Sequence, residues 1–193
     1  DAHTDLALPY KTVMPSVTPV CFGTMYTGAQ PAVHGIQKYE KPVIKIDTWF
    51  DALIRAGKKP VIISQKNCSM SKIFLEREMD YFIYPTADEV VAKGVELILK
   101  DEYDFIIVYN CNYDSVMHKT GPESTAALGE LRTNVRTFAM LSELVKTHWK
   151  HHNTLVGFAM DHGCHEIDGK NGSHGLDQDE GMLVIHMFGT YIG

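Results

Sequence analysis

The chain of 193 residues contains no apolar run near the ~18 residues that a membrane-spanning helix needs. Its opening, DAHTDLALPY, shows no charged segment leading into an apolar one of the kind that directs secretion. A basic surplus is also missing. Lys and Arg number 18 against 24 Asp and Glu, a formal charge of −6, so no broad positive field is present to hold a nucleic acid or an anionic membrane. Cysteine is sparse: Cys21, Cys68, Cys111 and Cys164 lie far apart, form no CxxC pair and sit in or beside apolar segments. That placement suits reduced buried thiols, and the expectation is a cytoplasmic protein without disulfides. Methionine does not begin the chain, so processing or truncation ahead of Asp1 is expected.

With 45% hydrophobic and 22% charged residues the chain can bury a sizeable core, as one large domain or a small pair. No internal repeat, low-complexity stretch or long Pro/Gly/Ser linker divides it, and a single domain over 1–193 is the simplest partition. Short apolar runs rich in Val, Ile, Phe and Tyr predict strands at Pro60 to Ser64, Tyr81 to Tyr84, Asp104 to Tyr109, Thr154 to Met160 and Met182 to Phe188. Between them DTWFDALIRAG, TADEVVAKGVELILKDE and PESTAALGELRTNVRTFAMLSELVKTHWK read as amphipathic helices. In the last, Leu128, Leu131, Val135, Phe138, Leu141 and Val145 share one face, which predicts core, and Pro122 suits a first-turn position. The expected fold is α/β, a layered and mostly parallel sheet with helices on both faces.

Open parallel sheets bind ligands beyond the carboxyl ends of their strands. After DFIIVYN comes CNYDSVMHKTGP, and the four-residue spacing of Asp114 and His118 puts carboxylate and imidazole on one helical face. After TLVGFAM comes DHGCHEIDGKNGSHG, with Asp161 and His162 at the strand end and His174 in a glycine-rich loop that can wrap closely around a ligand. Each pair alone also reads as loop caps. Together with His174 they point to a metal centre, with Zn²⁺, Mn²⁺ or Fe²⁺ better suited than Ca²⁺ or Mg²⁺. Six of the ten histidines fall between His148 and His174; of these, His148, His151 and His152 read as a solvated helix end. His34 reads as a packed or capping residue and His186 as a hydrogen-bonded strand residue. His165, Glu166 and Asp168 could orient metal-bound histidines.

In MPSVTPVCFGTMYTG, Thr18 followed by Pro19 predicts an N-cap with proline at the first helical position. A helix N-terminus favours an anion there, and a hydroxyl beside a metal can attack phosphorus. The alternative is that Thr18 only caps its helix. Ser16 and Thr24 are the back-up nucleophiles.

The segment MPSVTPVCFGTMYTGAQPAVHGI resembles the nucleophile region of the alkaline phosphatase superfamily, especially its type I phosphodiesterase and nucleotide pyrophosphatase branch. YDSVMHKTGP is similar to that family's D-x-x-x-H-x-x-GP metal segment, and DHG followed by SHG to its remaining ligands. The resemblance runs in order from Met14 to His174. It implies a hydrolase of phosphate esters, whether phosphodiester, nucleotide pyrophosphate or phosphomonoester, acting through a covalent threonine intermediate on Thr18. It also implies two divalent metal ions, Zn first and Mn second: Asp114, His118 and His174 would hold one, Asp161 and His162 the other together with the Thr18 oxygen. The partner would be a small phosphate ester or nucleotide.

Two departures stand out. The family's further metal-binding Asp ends an upstream apolar strand, which this sequence is expected to lack; Asp1 and Asp5 stand too close to Thr18 to replace it. Where the phosphodiesterase branch has a phosphate-contacting Asn, this chain has Tyr39 beside Lys38, the candidate substrate contacts. A phosphomutase of the same superfamily, or a metal-binding pseudoenzyme without turnover, are the alternatives. A sulfatase motif is not present after Cys21.

Overall fold

The computed structural model describes residues 3–193. Along the chain come strand β1 (Leu6–Lys11), helices α1 (Thr18–Thr27), α2 (Pro31–His34) and α3 (Trp49–Arg55), strands β2 (Pro60–Gln65) and β3 (Asp80–Tyr84), and helix α4 (Ala87–Lys100). There follow β4 (Phe105–Tyr109), α5 (Asn112–Thr120), α6 (Thr125–His148), β5 (Thr154–Phe158), β6 (His165–Ile167), β7 (Asn171–Ser173), α7 (Asp179–Met182) and β8 (Leu183–Tyr191).

Strand β2 lies between β3 and β4, parallel to both. A strand covered on both faces must be apolar on both, and Val61, Ile62 and Ile63 are fully buried. Ile62 joins Phe22, Ile36, Phe50, Phe74 and Ile107 on one side, while Val61 and Ile63 meet Val90 and Leu97 of α4 on the other. Local chemistry starts the helices where the hydrophobic pattern does. Thr48 and Asp51 form a capping box on α3, and Thr86 with Glu89 forms another on α4. The Arg77 side chain, 7% exposed, binds Asp51 at 3.0 Å and the carbonyls of Leu75, Ile44 and Ile46, fastening the segment ahead of α3 to the one ahead of β3.

The expected mostly parallel layered sheet is not what forms. Among the described residues only β3-β2-β4 is parallel; β1-β8-β5 and the hairpin β6-β7 are antiparallel. The apolar runs at β5 and β8 were legible as strands, but a parallel pair needs a crossover, usually a helix. Between these two the chain offers a hairpin and the four-residue α7. The expectation of no strand ahead of Thr18 is corrected as well: β1 pairs along β8 from Leu6↔Phe188 to Lys11↔Leu183. Pro9 masks it in the sequence, yet β1 is an edge strand, where proline is tolerated. Asp5 accepts the amide of Thr190 at 3.0 Å; Asp1 lies outside the described residues.

Helix α6 also departs from expectation. Ser124 caps it by accepting the Ala127 amide at 3.1 Å, so Pro122 belongs to the preceding turn. Of the six residues expected in the core, only Val145 is buried; Leu128, Leu131, Phe138 and Leu141 are half-buried and Val135 is exposed. The helix packs mainly on α4 and α5 and meets β5 lightly, through Phe138 on Phe158. His148 ends α6, and His152 beyond it lies 2.8 Å from Asp101 at the surface, as a solvated helix end should. Among the described residues no helix is long and apolar enough to cross a membrane.

Candidate metal centre

Three parts of the fold bring the candidate residues together. Thr18 is the first residue of α1 and does not cap it: Val17 occupies the cap position and makes no side-chain cap bond. The Thr18 hydroxyl, 9% exposed, instead lies 3.1 Å from His162 Nε2. Helix α5 presents Asp114 and His118 one turn apart, as their spacing predicts, with Oδ1 and Nε2 separated by 3.4 Å. Asp161 and His162 follow β5, and His174 follows β7.

Each of the three histidines is fixed through its other nitrogen. His118 Nδ1 donates to the Gly172 carbonyl at 2.9 Å, His174 Nδ1 to Ser16 at 3.1 Å and His162 Nδ1 to Gly163 at 2.9 Å. A carbonyl only accepts, so these bonds assign the proton to Nδ1 and leave a lone pair on every Nε2. Those lone pairs converge. His118 Nε2 and His174 Nε2 are 3.1 Å apart, and both face the same oxygen, Asp114 Oδ1, at 3.4 and 3.3 Å. Asp114 Oδ1 is buried with no hydrogen-bond partner, as is Asp161 Oδ2, which lies 3.4 Å from His162 Nε2. The His162 and His174 rings stack with centroids 4.0 Å apart.

Acceptors packed against acceptors need a cation or an added proton between them. Three ligands held at ordinary zinc bond lengths in tetrahedral array stand about 3.3 Å apart. The Asp114, His118 and His174 triangle matches that spacing on all three sides, and these residues form a candidate metal-binding group. Without a cation, a proton on His174 relieves the crowding. Burial works against it, yet the Asp114 carboxylate, with Asp161, lifts His174 above its usual range. For Asp114, burial favours the neutral acid, but the His174 contact and the neighbouring imidazoles outweigh it and hold the carboxyl below its usual range. The centre opens on one side: the His118 side chain is 40% exposed, His174 and His162 only 7% and 5%.

Several supporting contacts were not anticipated. Gly172 allows one, because a Cβ there would lie 2.2 Å from Met117 Sδ; its absence lets β7 press on α5 and reach His118. Gly163 allows another, since a Cβ would strike the Glu180 carbonyl at 2.0 Å. Thr12, just beyond β1, donates to the Asp161 carbonyl at 3.0 Å, and His186 Nε2 donates to the Met160 carbonyl at 2.6 Å. Tyr10 bonds the other nitrogen of His186, so the strand missed in the sequence braces the segment that carries Asp161 and His162. His186 is thus the hydrogen-bonded strand residue expected. His34 is a packed one, its ring meeting Thr24 at 3.2 Å.

The residues suggested as histidine-orienting groups, His165, Glu166 and Asp168, make no hydrogen bond to the site histidines among the described residues; main-chain carbonyls do that work. Lys38 pairs with Glu40 at 3.5 Å on the surface, and Tyr39 beside it is 62% exposed. Of the back-up nucleophiles, Ser16 is fully buried and accepts the Gly175 amide, and Thr24 is engaged by His34. All four cysteines are free; burial pushes the Cys21 thiol up to about 12, and it is no nucleophile. No protein-family model matches the chain, and no curated protein matches it.

Proposed function

We propose that the protein is a metal-dependent hydrolase of phosphate esters in which Thr18 is the nucleophile. The observation that carries this reading is the convergence of three carbonyl-fixed imidazole lone pairs, two buried carboxylate oxygens without partners, and one buried hydroxyl. Asp114, His118 and His174 would hold one divalent cation, and Asp161 and His162 with the Thr18 oxygen a second. Zinc fits the donor set best and manganese next. Bound there, the cations supply Lewis acidity and positive charge for a phosphoryl group and lower the pKa of the Thr18 hydroxyl. Their charge exceeds that of the two carboxylates, which favours an anionic substrate.

The chain's own residues do the rest. Thr18 Oγ1 attacks phosphorus in line; the Oγ1–P bond forms as the bond to the leaving oxygen breaks, and the hydroxyl proton ends on that oxygen. Water entering from the open His118 side then attacks phosphorus, returning a proton to Thr18 and freeing phosphate or its ester. The backbone carbonyls of Ser16, Gly163 and Gly172 keep each imidazole in one orientation throughout, a prepaid alignment that water could not provide. The resemblance to phosphodiesterases and nucleotide pyrophosphatases of the alkaline phosphatase superfamily favours small esters and nucleotides as substrates.

The test uses p-nitrophenyl phosphate and bis-p-nitrophenyl phosphate with the Zn²⁺- or Mn²⁺-supplemented chain and its Thr18→Ala variant. Turnover that Thr18→Ala abolishes while cation binding persists supports the reading. Turnover that survives Thr18→Ala contradicts it. Binding without turnover of any ester would instead favour a metal-binding protein that lacks catalysis.

A further inference from the structure

Helix α5 carries two of the three residues of the best-formed cation triangle, yet its own sequence caps it poorly. Cys111 holds the cap position and gives no side-chain cap bond. The first amides of α5 are satisfied from elsewhere. Gln65 Oε1, on the last residue of β2, accepts from Cys111 N at 2.9 Å and from its thiol at 3.3 Å. Asn110 Oδ1 accepts from Asn112 N at 3.1 Å, and Asn110 Nδ2 in turn donates to Asn134 Oδ1 of α6 at 3.2 Å. Two neutral amides therefore seat the helix start, one on the most buried strand of the molecule and one on its longest helix.

The choice of amides over the usual Ser, Thr or Asp at a helix start has a consequence for the site. Gln65 ties the start of the helix to β2, and Asn110, whose bond to Asn112 N closes a local turn, ties that turn to α6 through Asn134, so the rotation and height of α5 are set from both sides. Asp114 lies two residues past Asn112, and a small rotation of α5 would swing Oδ1 off the His118 and His174 nitrogens. We propose that Gln65, Asn110 and Asn134 are positioning residues that set the register of α5, and through it the separation of Asp114 and His118 from His174. This rests on the reading of the centre as a cation site.

The experiment measures Zn²⁺ affinity of the full chain by competition with a chromophoric chelator, beside thermal unfolding of the metal-free protein and amide hydrogen exchange along α5. The variants are Asn110→Ala, Gln65→Ala and Asn134→Ala. Thr86→Ala serves as control, since it removes a capping side chain from α4, a helix that contributes no residue to the centre. Asn110→Ala and Gln65→Ala should each weaken Zn²⁺ binding about tenfold, the size of effect seen when groups that orient metal ligands are lost. Exchange of α5 amides should quicken without a matching change in α6. Thr86→Ala should lower the unfolding temperature comparably and leave Zn²⁺ affinity as in the parent. Asn110→Asp keeps the acceptor for Asn112 N but loses the Nδ2 donor to Asn134, so it should restore α5 protection while Zn²⁺ binding stays as weak as in Asn134→Ala, in which parental affinity would remove α6 from the proposal. Parental affinity in Asn110→Ala and Gln65→Ala, with an unfolding shift like that of Thr86→Ala, overturns the proposal. A parent chain that binds no Zn²⁺ overturns the cation reading, and α5 exchange then judges positioning alone: unchanged protection in both variants sinks it.

Discussion

The parallel half of the molecule and the antiparallel half are built to different standards. Around β2, Val61, Ile62, Ile63, Phe50 and Phe74 are all sealed from water. In the antiparallel sheet Leu6, Leu8, Leu155, Leu183 and Ile185 are between 40% and 63% exposed. The candidate centre draws from both: Asp114 and His118 follow the buried sheet, Asp161 and His162 the open one. Half of the site thus stands on a sealed base and half on a segment that accepts hydrogen bonds from Thr12 and His186 and donates one, from Gly163, to the Gly181 carbonyl. The second cation of the proposed pair, held by Asp161 and His162 beyond β5 and by Thr18 of α1, would join that segment to a helix packed in the sealed core, so its binding energy would also be structural energy for the weaker half.

The sharpest break in that comparison is Asp114→Ala. It should abolish Zn²⁺ binding at the triangle and, under the proposed function, lower turnover of p-nitrophenyl phosphate by about a thousandfold or more, since the donor set loses its charged member; isothermal titration and steady-state rates check this. Next in size is a pair of truncations. Ile62→Ala should cost about 2–5 kcal/mol of unfolding free energy, as for other sealed core positions, whereas Leu155→Ala, 63% exposed, should stay within about 0.5 kcal/mol of the parent in urea unfolding. Equal costs would erase the distinction between the halves. Metal should then act unevenly: at a hundredfold excess over Kd it adds about 2.7 kcal/mol of stability, and hydrogen exchange should slow in β5 and β8 more than in β2.

The smallest effect is a dependence on pH. Burial lowers the pKa of both His34 in the parallel half and His186 in the antiparallel half below 6.5. The unfolded chain therefore takes up protons first as pH falls through 6.5, and stability drops by at most about 1.4 kcal/mol per pH unit for each histidine until the folded value is reached. Above 6.5 both are neutral in either state and the effect vanishes. His186→Gln should reduce the slope of unfolding free energy between pH 7 and 5.5, and an unchanged slope would place the acid sensitivity elsewhere.

Much of the parallel half was legible because its signals are local. VIIS and FIIVY are short, β-branched and aromatic runs that read as strands, and the caps at Thr48 and Thr86 sit where the amphipathic period begins. The pairing of Asp114 with His118 was equally local, a matter of one helical turn. Sheet direction was not legible, because an apolar run does not state what lies beside it; LALPYK with its proline hid β1 altogether. Thr18 looked like a cap from its neighbour Pro19; only the family resemblance set its oxygen beside His162, 144 residues away, and the structure shows its hydroxyl turned to that histidine. The orienting groups could not be read from sequence at all, since main-chain carbonyls carry no residue signature. Gly163 and Gly172 were visible as part of a glycine-rich loop, but which glycine admits which neighbour depends on packing.

The central claim is that acceptor atoms of Asp114, His118 and His174 are gathered for a cation. Elemental analysis of the purified chain after supplementation and removal of excess metal tests it most directly. The account predicts at least one Zn or Mn per chain, with the triangle's ion lost in Asp114→Ala and retained in Thr18→Ala. No stoichiometric Zn, Mn or Fe in the parent chain would contradict it.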